Sequence, residues 1–179
     1  MPRIEPVTPP YSDEVQASFD KLMPKGMEPL KLFRTLAHNP RVLRRIQRGG
    51  LLDPGSISMR LRELVILRTC ALCGADYEWG VHATIFSAGA ELTEAELEAT
   101  RATASGNTWS EQDRLVLELC DELHTNAAPS QSLWDRLNSQ FDSAQLIELV
   151  TLAGLYHAVS FIVNATGVEA EDWARAPAR

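Results

Sequence analysis

The chain has 179 residues, a length that fits one domain able to bury a hydrophobic core without metal or disulfide support. Its 24 acidic and 17 basic residues give a formal net charge of -7, which argues against nucleic-acid binding because such proteins carry a basic surface. Three cysteines and an N-terminus without an apolar run argue against a secreted disulfide framework, so we expect a cytoplasmic protein.

The chain is expected to form a single all-α domain over residues 1–179. Four prolines predict an extended arm over residues 1–12, since proline cannot supply helical hydrogen bonds. Beyond the arm, apolar residues recur at helical spacing, and no strand pair interrupts them. Helices are predicted over 13–23, 30–38, 41–51, 59–73, 77–88, 93–103, 110–126, 130–141 and 143–166, with Thr93, Ser110, Ser130 and Ser143 as N-caps.

The last segment, residues 146–168, is the most apolar part of the chain. Polar residues interrupt it at Glu148, Tyr156, His157, Ser160 and Asn164, which favours a core helix over a bilayer span. We therefore expect no membrane partner. The polar stripe formed by His157, Ser160 and Asn164 either lines a pocket or forms buried hydrogen bonds to neighbouring helices.

Two segments of the sequence resemble each other. Residues 58–67 and 143–152 share Ser, Leu, Glu, Leu, Val and Leu at a constant offset. A duplicated helical unit whose copies pack together would produce this pattern, because each copy must bury the same face. The sequence thus predicts a core unit over residues 58–104 and a second, related helical unit over residues 110–168.

Glu63 lies in a helix that is apolar almost all round, so it is predicted to be a buried carboxylate. Burial raises the pKa of an unpaired carboxyl group, which suits a general acid or base. The alternative is a structural salt bridge to Arg60 or Arg68.

Glu78 and His82 lie four residues apart on the next predicted helix, so their side chains stack on one face. A carboxylate placed in this way can orient an imidazole that transfers protons near neutral pH. The neighbouring aromatic residues Tyr77, Trp79 and Phe86 are predicted to line a substrate pocket. The alternative is an ordinary pair on a helix surface.

Cys70 and Cys73 lie at the C-terminal end of their predicted helix, where the helix dipole raises a thiol pKa, so structural packing is favoured for both. A tight turn after them would nevertheless bring Cys70 close to His82, which leaves a thiol–imidazole pair as an alternative. Glu63 lies farther from that turn, so a direct contact with His82 is expected to need shifted packing or a bridging water.

No metal or cofactor is expected from the sequence. Glu78 and His82 supply only two neighbouring metal ligands, and His124 or His157 would have to complete the site from far away in the sequence. No phosphate-binding or dinucleotide-binding fingerprint is present. A small organic substrate handled by side chains is the simplest interpretation.

The segments Leu61-Arg-Glu-Leu-Val-Ile-Leu-Arg68 and Tyr77-Glu-Trp-Gly-Val-His82 resemble the carboxymuconolactone decarboxylase and alkylhydroperoxidase D superfamily, over residues 59–104. The resemblance implies an all-α fold of duplicated helical units that assembles as a homo-oligomer, a trimer or a hexamer. The superfamily glutamate and histidine fall on Glu63 and His82. The redox cysteines of the peroxidase branch fall on Ala75 and Glu78, so this chain lacks them.

The resemblance therefore favours the decarboxylase branch, with acid–base chemistry on a small carboxylated or lactone-type substrate. His82 is predicted as the general acid–base residue, Glu78 as its orienting partner and Glu63 as a relay. For a substrate carboxylate, only Arg60, Arg62 and Arg68 are near. One alternative is a peroxiredoxin-type thiol peroxidase that uses Cys70 near His82, and another is a non-catalytic oligomeric binding protein.

Overall fold

The structure is a computed structural model that describes residues 1–102 and 109–176, and these residues form nine α-helices and no β-strand. The predicted all-α fold is confirmed, with helix ends that differ by a few residues from those predicted. The last residues of the predicted helix 93–103 and of the predicted unit 58–104 lie outside the described residues. The helices are α1 (Asp13–Leu22), α2 (Lys31–Leu36), α3 (Pro40–Gly49), α4 (Met59–Leu72), α5 (Asp76–Ile85), α6 (Glu94–Ala99), α7 (Glu111–Asn126), α8 (Gln131–Asn138) and α9 (Ser143–Thr166).

Three of the four predicted helix caps are observed, at Thr93, Ser110 and Ser130. The fourth prediction, Ser143, is wrong, because Asp142 caps α9 and Ser143 is its first helical residue. The Asp142 side chain accepts a hydrogen bond from the Gln145 backbone N–H, and the Gln145 side chain accepts one from the Asp142 N–H. A carboxylate and an amide three residues apart thus form a reciprocal cap that a serine one position later cannot replace.

Helix α4 lies at the centre of the fold and packs against α5, α7 and α9. Its residues Leu64, Val65, Ile66 and Leu67 are all 0% exposed, so every side of this part of the helix is covered. The two similar segments of the sequence lie in α4 and α9, which pack together. Their glutamates differ in environment, since Glu63 is fully buried whereas Glu148 is half-buried and binds Ser56.

Helix α9 has 24 residues and is apolar and long enough to cross a membrane by length and composition alone. Its inner side, which includes Leu149, Leu152 and Ala153, is buried in the core, so α9 serves here as a core helix. Its outer side exposes the apolar residues Ile147 and Phe161. A single helix of this kind does not indicate a membrane protein.

The turn between α4 and α5 consists of Cys73, Gly74 and Ala75. The backbone N–H of Ala75 donates to the carbonyl of Cys70 at 2.8 Å, and Gly74 has a left-handed φ of +62°. A residue without a Cβ is favoured there because a side chain would crowd the following carbonyl. This turn brings α5 back along α4 and so brings the candidate site residues of the two helices together.

We expect Gly74→Ala to lower the free energy of unfolding by roughly 1 to 2 kcal/mol, because alanine is strained at a left-handed φ. No atom would touch the added Cβ, so the effect isolates the backbone conformation. Gly49→Ala is the matched control, since its added Cβ also meets no atom and φ is not left-handed. Alanine at this helical position should instead stabilise by up to ~0.5–1 kcal/mol. Urea unfolding of both variants measures the contrast, and equal effects would contradict it.

Candidate active site

Three residues of α4, α5 and α9 surround the imidazole of His82, itself in α5. Its Nδ1 lies 2.7 Å from Glu63 Oε2, and its Nε2 lies 3.0 Å from the Tyr156 hydroxyl and 3.5 Å from Glu78 Oε1. All four side chains are buried, with exposed fractions of 0% for Glu63, 7% for Glu78, 3% for His82 and 4% for Tyr156. Glu63, Glu78, His82 and Tyr156 are called the His82 network below.

The direct contact between Glu63 and His82 corrects the expectation that they need shifted packing or a bridging water. That expectation counted Glu63 from Gly74 but His82 from Asp76, which overstated the axial offset between the two residues. Glu63 lies nine residues before the end of α4 and His82 six after the start of α5, so their axial offset is only ~4.5 Å. A glutamate side chain spans this offset.

Glu63, and not Glu78, makes the close hydrogen bond that orients the imidazole. Its carboxylate accepts from Nδ1–H, which leaves Nε2 facing Tyr156 and Glu78. The close contact with the imidazole that was expected from Glu78 is therefore made by Glu63. The sequence interpretation treated Tyr156 only as a polar interruption of α9 and missed this contact. Its place among the polar residues that interrupt an otherwise apolar helix was the available signal.

The pKa of His82 is raised from 6.5 to about 9. Burial by itself would lower this pKa, because a low dielectric disfavours the charged imidazolium. The hydrogen bonds and negative charges of Glu63 and Glu78 outweigh burial. His82 is thus held as an imidazolium at neutral pH.

Arg62 places a guanidinium group beside the His82 network. Its Nε donates to Glu63 Oε1 at 2.9 Å, its Nη1 donates to the Leu52 carbonyl at 2.7 Å, and its guanidinium lies 5.5 Å from the centre of the Phe86 ring. Phe86 also packs on His82, with ring centres 5.0 Å apart. Arg62 and Phe86 therefore lie directly beside the His82 network.

The predicted salt-bridge partners of Glu63, Arg60 and Arg68, are wrong. Arg60 binds Asp113 and Glu96, and Arg68 binds Asp121. Both arginines point from α4 towards other elements, with their aspartate partners on α7, whereas Glu63 points towards α5. Neither arginine is thus available to the His82 network.

Cys70 is fully buried, and its Sγ lies 4.0 Å from the Ser160 hydroxyl. Within the described residues, no hydrogen bond joins Cys70 to His82. Burial raises the pKa of the Cys70 thiol well above 9.0, and the charge of Glu78 raises it further. The thiol–imidazole alternative therefore lacks the contact that would activate a thiolate.

Of the three aromatic residues predicted to line a pocket, only Phe86 stacks on His82. The Tyr77 hydroxyl donates to Glu171 at 2.8 Å, and the Trp79 indole N–H donates to Thr100 at 3.0 Å. These polar groups anchor α5 to the C-terminal segment and to α6. Burial and the charge of Glu171 raise the pKa of Tyr77.

A cleft of about 240 Å³ opens beside the His82 network. Arg62 connects the two, because it lines the cleft and donates a hydrogen bond to Glu63. Inside the network, Glu78 Oε2 is buried without a hydrogen-bond partner in the part of the chain that the structure describes. The cleft is lined by Leu52, Asp53, Pro54, Gly55, Ile57, Met59, Arg62 and Glu148. A slightly larger cleft, of about 280 Å³ between residues 27–34 and 171–173, contains none of the network residues.

Residues 40–113 match the model of the Carboxymuconolactone decarboxylase family. This match covers α4 and α5 and, with the structural similarities that follow, confirms the resemblance predicted from Glu63 and His82. No curated protein matches the chain significantly.

Solved structures with the same fold include an alkylhydroperoxidase AhpD core, a peroxidase-related protein from Ralstonia eutropha JMP134 (TM-score 0.81, 16% identity, 94% of this chain and 93% of that chain). A peroxidase-related protein from Silicibacter sp. TM1040 is equally similar (TM-score 0.81, 14% identity, 94% and 93% coverage). A variant of the debrominase Bmp8 in complex with 2,3,4-tribromopyrrole also matches (TM-score 0.78, 13% identity, 95% and 92% coverage). At these identities the similarity establishes the shared fold alone.

The raised pKa of His82 predicts a loss of stability at alkaline pH. The pKa of His82 in the folded protein lies above its unfolded value. The contribution of His82 to the free energy of unfolding is therefore complete below pH 6.5 and is lost as pH rises through about 9. The change should be on the order of 3 kcal/mol in the free energy of unfolding. Denaturant unfolding between pH 6 and 10 measures it. His82→Gln should lack this part of the pH dependence, and an unchanged profile in that variant would contradict the assignment.

The buried thiols predict resistance to alkylation in the folded protein. Cys70 and Cys120 are both 0% exposed, so iodoacetamide at neutral pH should label neither until the chain unfolds, while the partly exposed Cys73 reacts slowly. Peptide mapping by mass spectrometry, with denatured protein as the fully labelled control, reads out each site. Rapid labelling of Cys70 in the native protein would restore the thiol–imidazole alternative.

Proposed function

We propose that this protein is a decarboxylase-type lyase that acts by acid–base chemistry on a small carboxylated or lactone-type organic substrate. The observation that carries the proposal is the buried His82 network, in which Glu63 orients a protonated imidazole. The family match and the fold support an enzyme, and the reaction is inferred from the site.

His82 is the proposed general acid. Because Glu63 binds Nδ1, the proton available for transfer is on Nε2, beside the Tyr156 hydroxyl and Glu78. The C–C bond to the carboxylate breaks, carbon dioxide leaves, and the electron pair stays on the substrate carbon as an enolate-like anion. The Nε2 proton then neutralises that carbon, and a proton from solvent restores the imidazolium.

Arg62 is the proposed binding group for the substrate carboxylate. Its Nε and Nη1 are engaged with Glu63 and Leu52, while Nη2 has no hydrogen-bond partner among residues 1–102 and 109–176. A single guanidinium suits a substrate with one carboxylate better than a dicarboxylate, which would require a second cation. The cleft beside Arg62 is mainly apolar, which favours a compact organic acid or carboxylated lactone.

The peroxidase alternative would use Cys70 as its nucleophile. The names of two structural neighbours favour it, whereas the burial of Cys70 and its neighbour Glu78 oppose a thiolate. Peroxide reduction also needs a thiol that the oxidant can reach. The lyase is therefore the preferred proposal.

The active protein is proposed to be a cytoplasmic homo-oligomer, a trimer or a hexamer. An exposed stripe along α9 supports an interface between copies, because the large apolar residues Ile147 and Phe161 are 68% and 65% exposed, with the exposed small residues Gly154 and Ala158 between them. The three cysteines are free, as is usual in a reducing compartment.

The test is turnover of carboxylated lactones, β-keto acids and β,γ-unsaturated acids, measured by release of carbon dioxide. His82→Gln should lower kcat/KM by at least ~10²-fold, the usual contribution of a general acid. Wild-type activity should fall as pH rises through the His82 pKa of about 9, because the acid loses its proton. Glu63→Gln should shift this fall to lower pH, since it removes the charge that raises the pKa.

His38→Gln is the matched control, because His38 is exposed and lies outside the His82 network. Cys70→Ser should keep lyase turnover. The lyase proposal is wrong if the wild type releases carbon dioxide from none of these acids but consumes hydrogen peroxide or organic peroxides, and Cys70→Ser loses that peroxide consumption.

A further inference from the structure

A second group of chemically capable side chains lies at the ends of α4 and α7. The Sγ of Cys73 lies 3.9 Å from Nδ1 of His124, and this Nδ1 lies 3.0 Å from Nε2 of His157. One donor atom from each residue lies within 4.8 Å of the other two. These residues, called the Cys73 cluster, come from three helical regions far apart in sequence and share no member with the His82 network.

Two of the three separations between the donor atoms are close to those that a tetrahedral metal ion needs, and the third is within 4.8 Å. With bonds of ~2.0–2.1 Å to nitrogen and ~2.3 Å to sulfur, two nitrogens on one Zn²⁺ lie about 3.4 Å apart, and a nitrogen and a sulfur about 3.6 Å. The observed separations of 3.0 Å and 3.9 Å differ from these by less than half an ångström. Small side-chain rotations would equalise them.

The ring of His157 is already oriented for a ligand. Its Nδ1 lies 2.8 Å from the carbonyl of Ala153, one turn earlier on α9, so the proton is on Nδ1 and the lone pair on Nε2 faces His124. Histidines that bind metals are commonly held by such a hydrogen bond from the other ring nitrogen. At Cys73, the side chain of Asn164 donates to the backbone carbonyl at 2.8 Å and so ties the cysteine to α9.

The electrostatic setting favours a cation. Cys73 is the C-cap of α4, and His124 lies in the last turn of α7, so both are at the negative end of a helix dipole. His124 is exposed, whereas Cys73 and His157 are half-buried, so an ion can enter from the surface.

We propose that Cys73, His124 and His157 form a zinc site. A thiolate and two imidazoles are the ligand types that Zn²⁺ prefers, and three protein ligands leave a fourth position for water. The ion joins the C-terminal ends of α4 and α7 to the middle of α9, next to the turn that leads into α5. This departs from the expectation of no metal, which considered His124 and His157 only as partners of Glu78 and His82.

The test is metal binding by the full chain after treatment with a chelator. Wild type should bind one Zn²⁺ per chain by calorimetry, and Co²⁺ should give an absorption band from thiolate-to-metal charge transfer. Cys73→Ser should remove this band. His124→Gln should weaken Zn²⁺ binding at least about tenfold, since even outer-shell changes at such sites cost 10–100-fold.

His38→Gln is the matched control, an exposed histidine outside the cluster that should bind like wild type. Excess Zn²⁺ should raise the Tm of wild type and His38→Gln more than that of His124→Gln, because binding to the native state stabilises it. Any of three results would overturn the proposal: wild type that does not bind Zn²⁺ stoichiometrically, His124→Gln that binds Zn²⁺ as tightly as wild type, or a charge-transfer band that persists in Cys73→Ser. None of these readouts depends on turnover, so failure here leaves the proposed lyase untouched.

Discussion

The hydrogen bond between Glu63 and His82 is the interaction on which the candidate active site depends. It joins two buried ionisable side chains on α4 and α5, with Nδ1 and Oε2 2.7 Å apart. Removing both charges from water is costly, and the cost is offset only where neighbours satisfy the remaining atoms. Arg62 serves Glu63 in this way, and Tyr156 and Glu78 serve His82. The network thus combines a fixed imidazole orientation with a raised His82 pKa.

Helix α4 connects the His82 network to the Cys73 cluster. Its residues Arg60 and Arg68 fasten it to α7 through Asp113 and Asp121, and the equal spacing of the two pairs means that α4 and α7 run side by side in the same direction. Those contacts occupy two of the three nearby arginines and leave Arg62 for the cleft. The C-terminal end of the same helix presents Cys73 to His124 on the neighbouring end of α7.

The shared fold constrains chemistry less than the side chains do. The structural neighbours include peroxidase-related proteins and a debrominase, all at 13–16% identity to this chain. Function therefore has to be argued from the site itself. Here a carboxylate, Glu78, lies beside the histidine on α5, and both cysteines of the Cys-x-x-Cys sequence lie at the end of α4 and in the turn. A carboxylate beside the histidine, in place of a cysteine, favours proton transfer over thiol chemistry.

The nine helical segments can be predicted from the sequence, because apolar spacing and capping residues are local signals. The sequence also predicts the burial of Glu63, since that residue sits in a helix apolar on every side. Which side chains come into contact depends on how the helices pack. The length of the turn sets the register of α5 on α4, which joins Glu63 to His82. Tyr156 and the His124–His157 pair come from segments distant in sequence, and helical periodicity carries no information about which helix packs beside which.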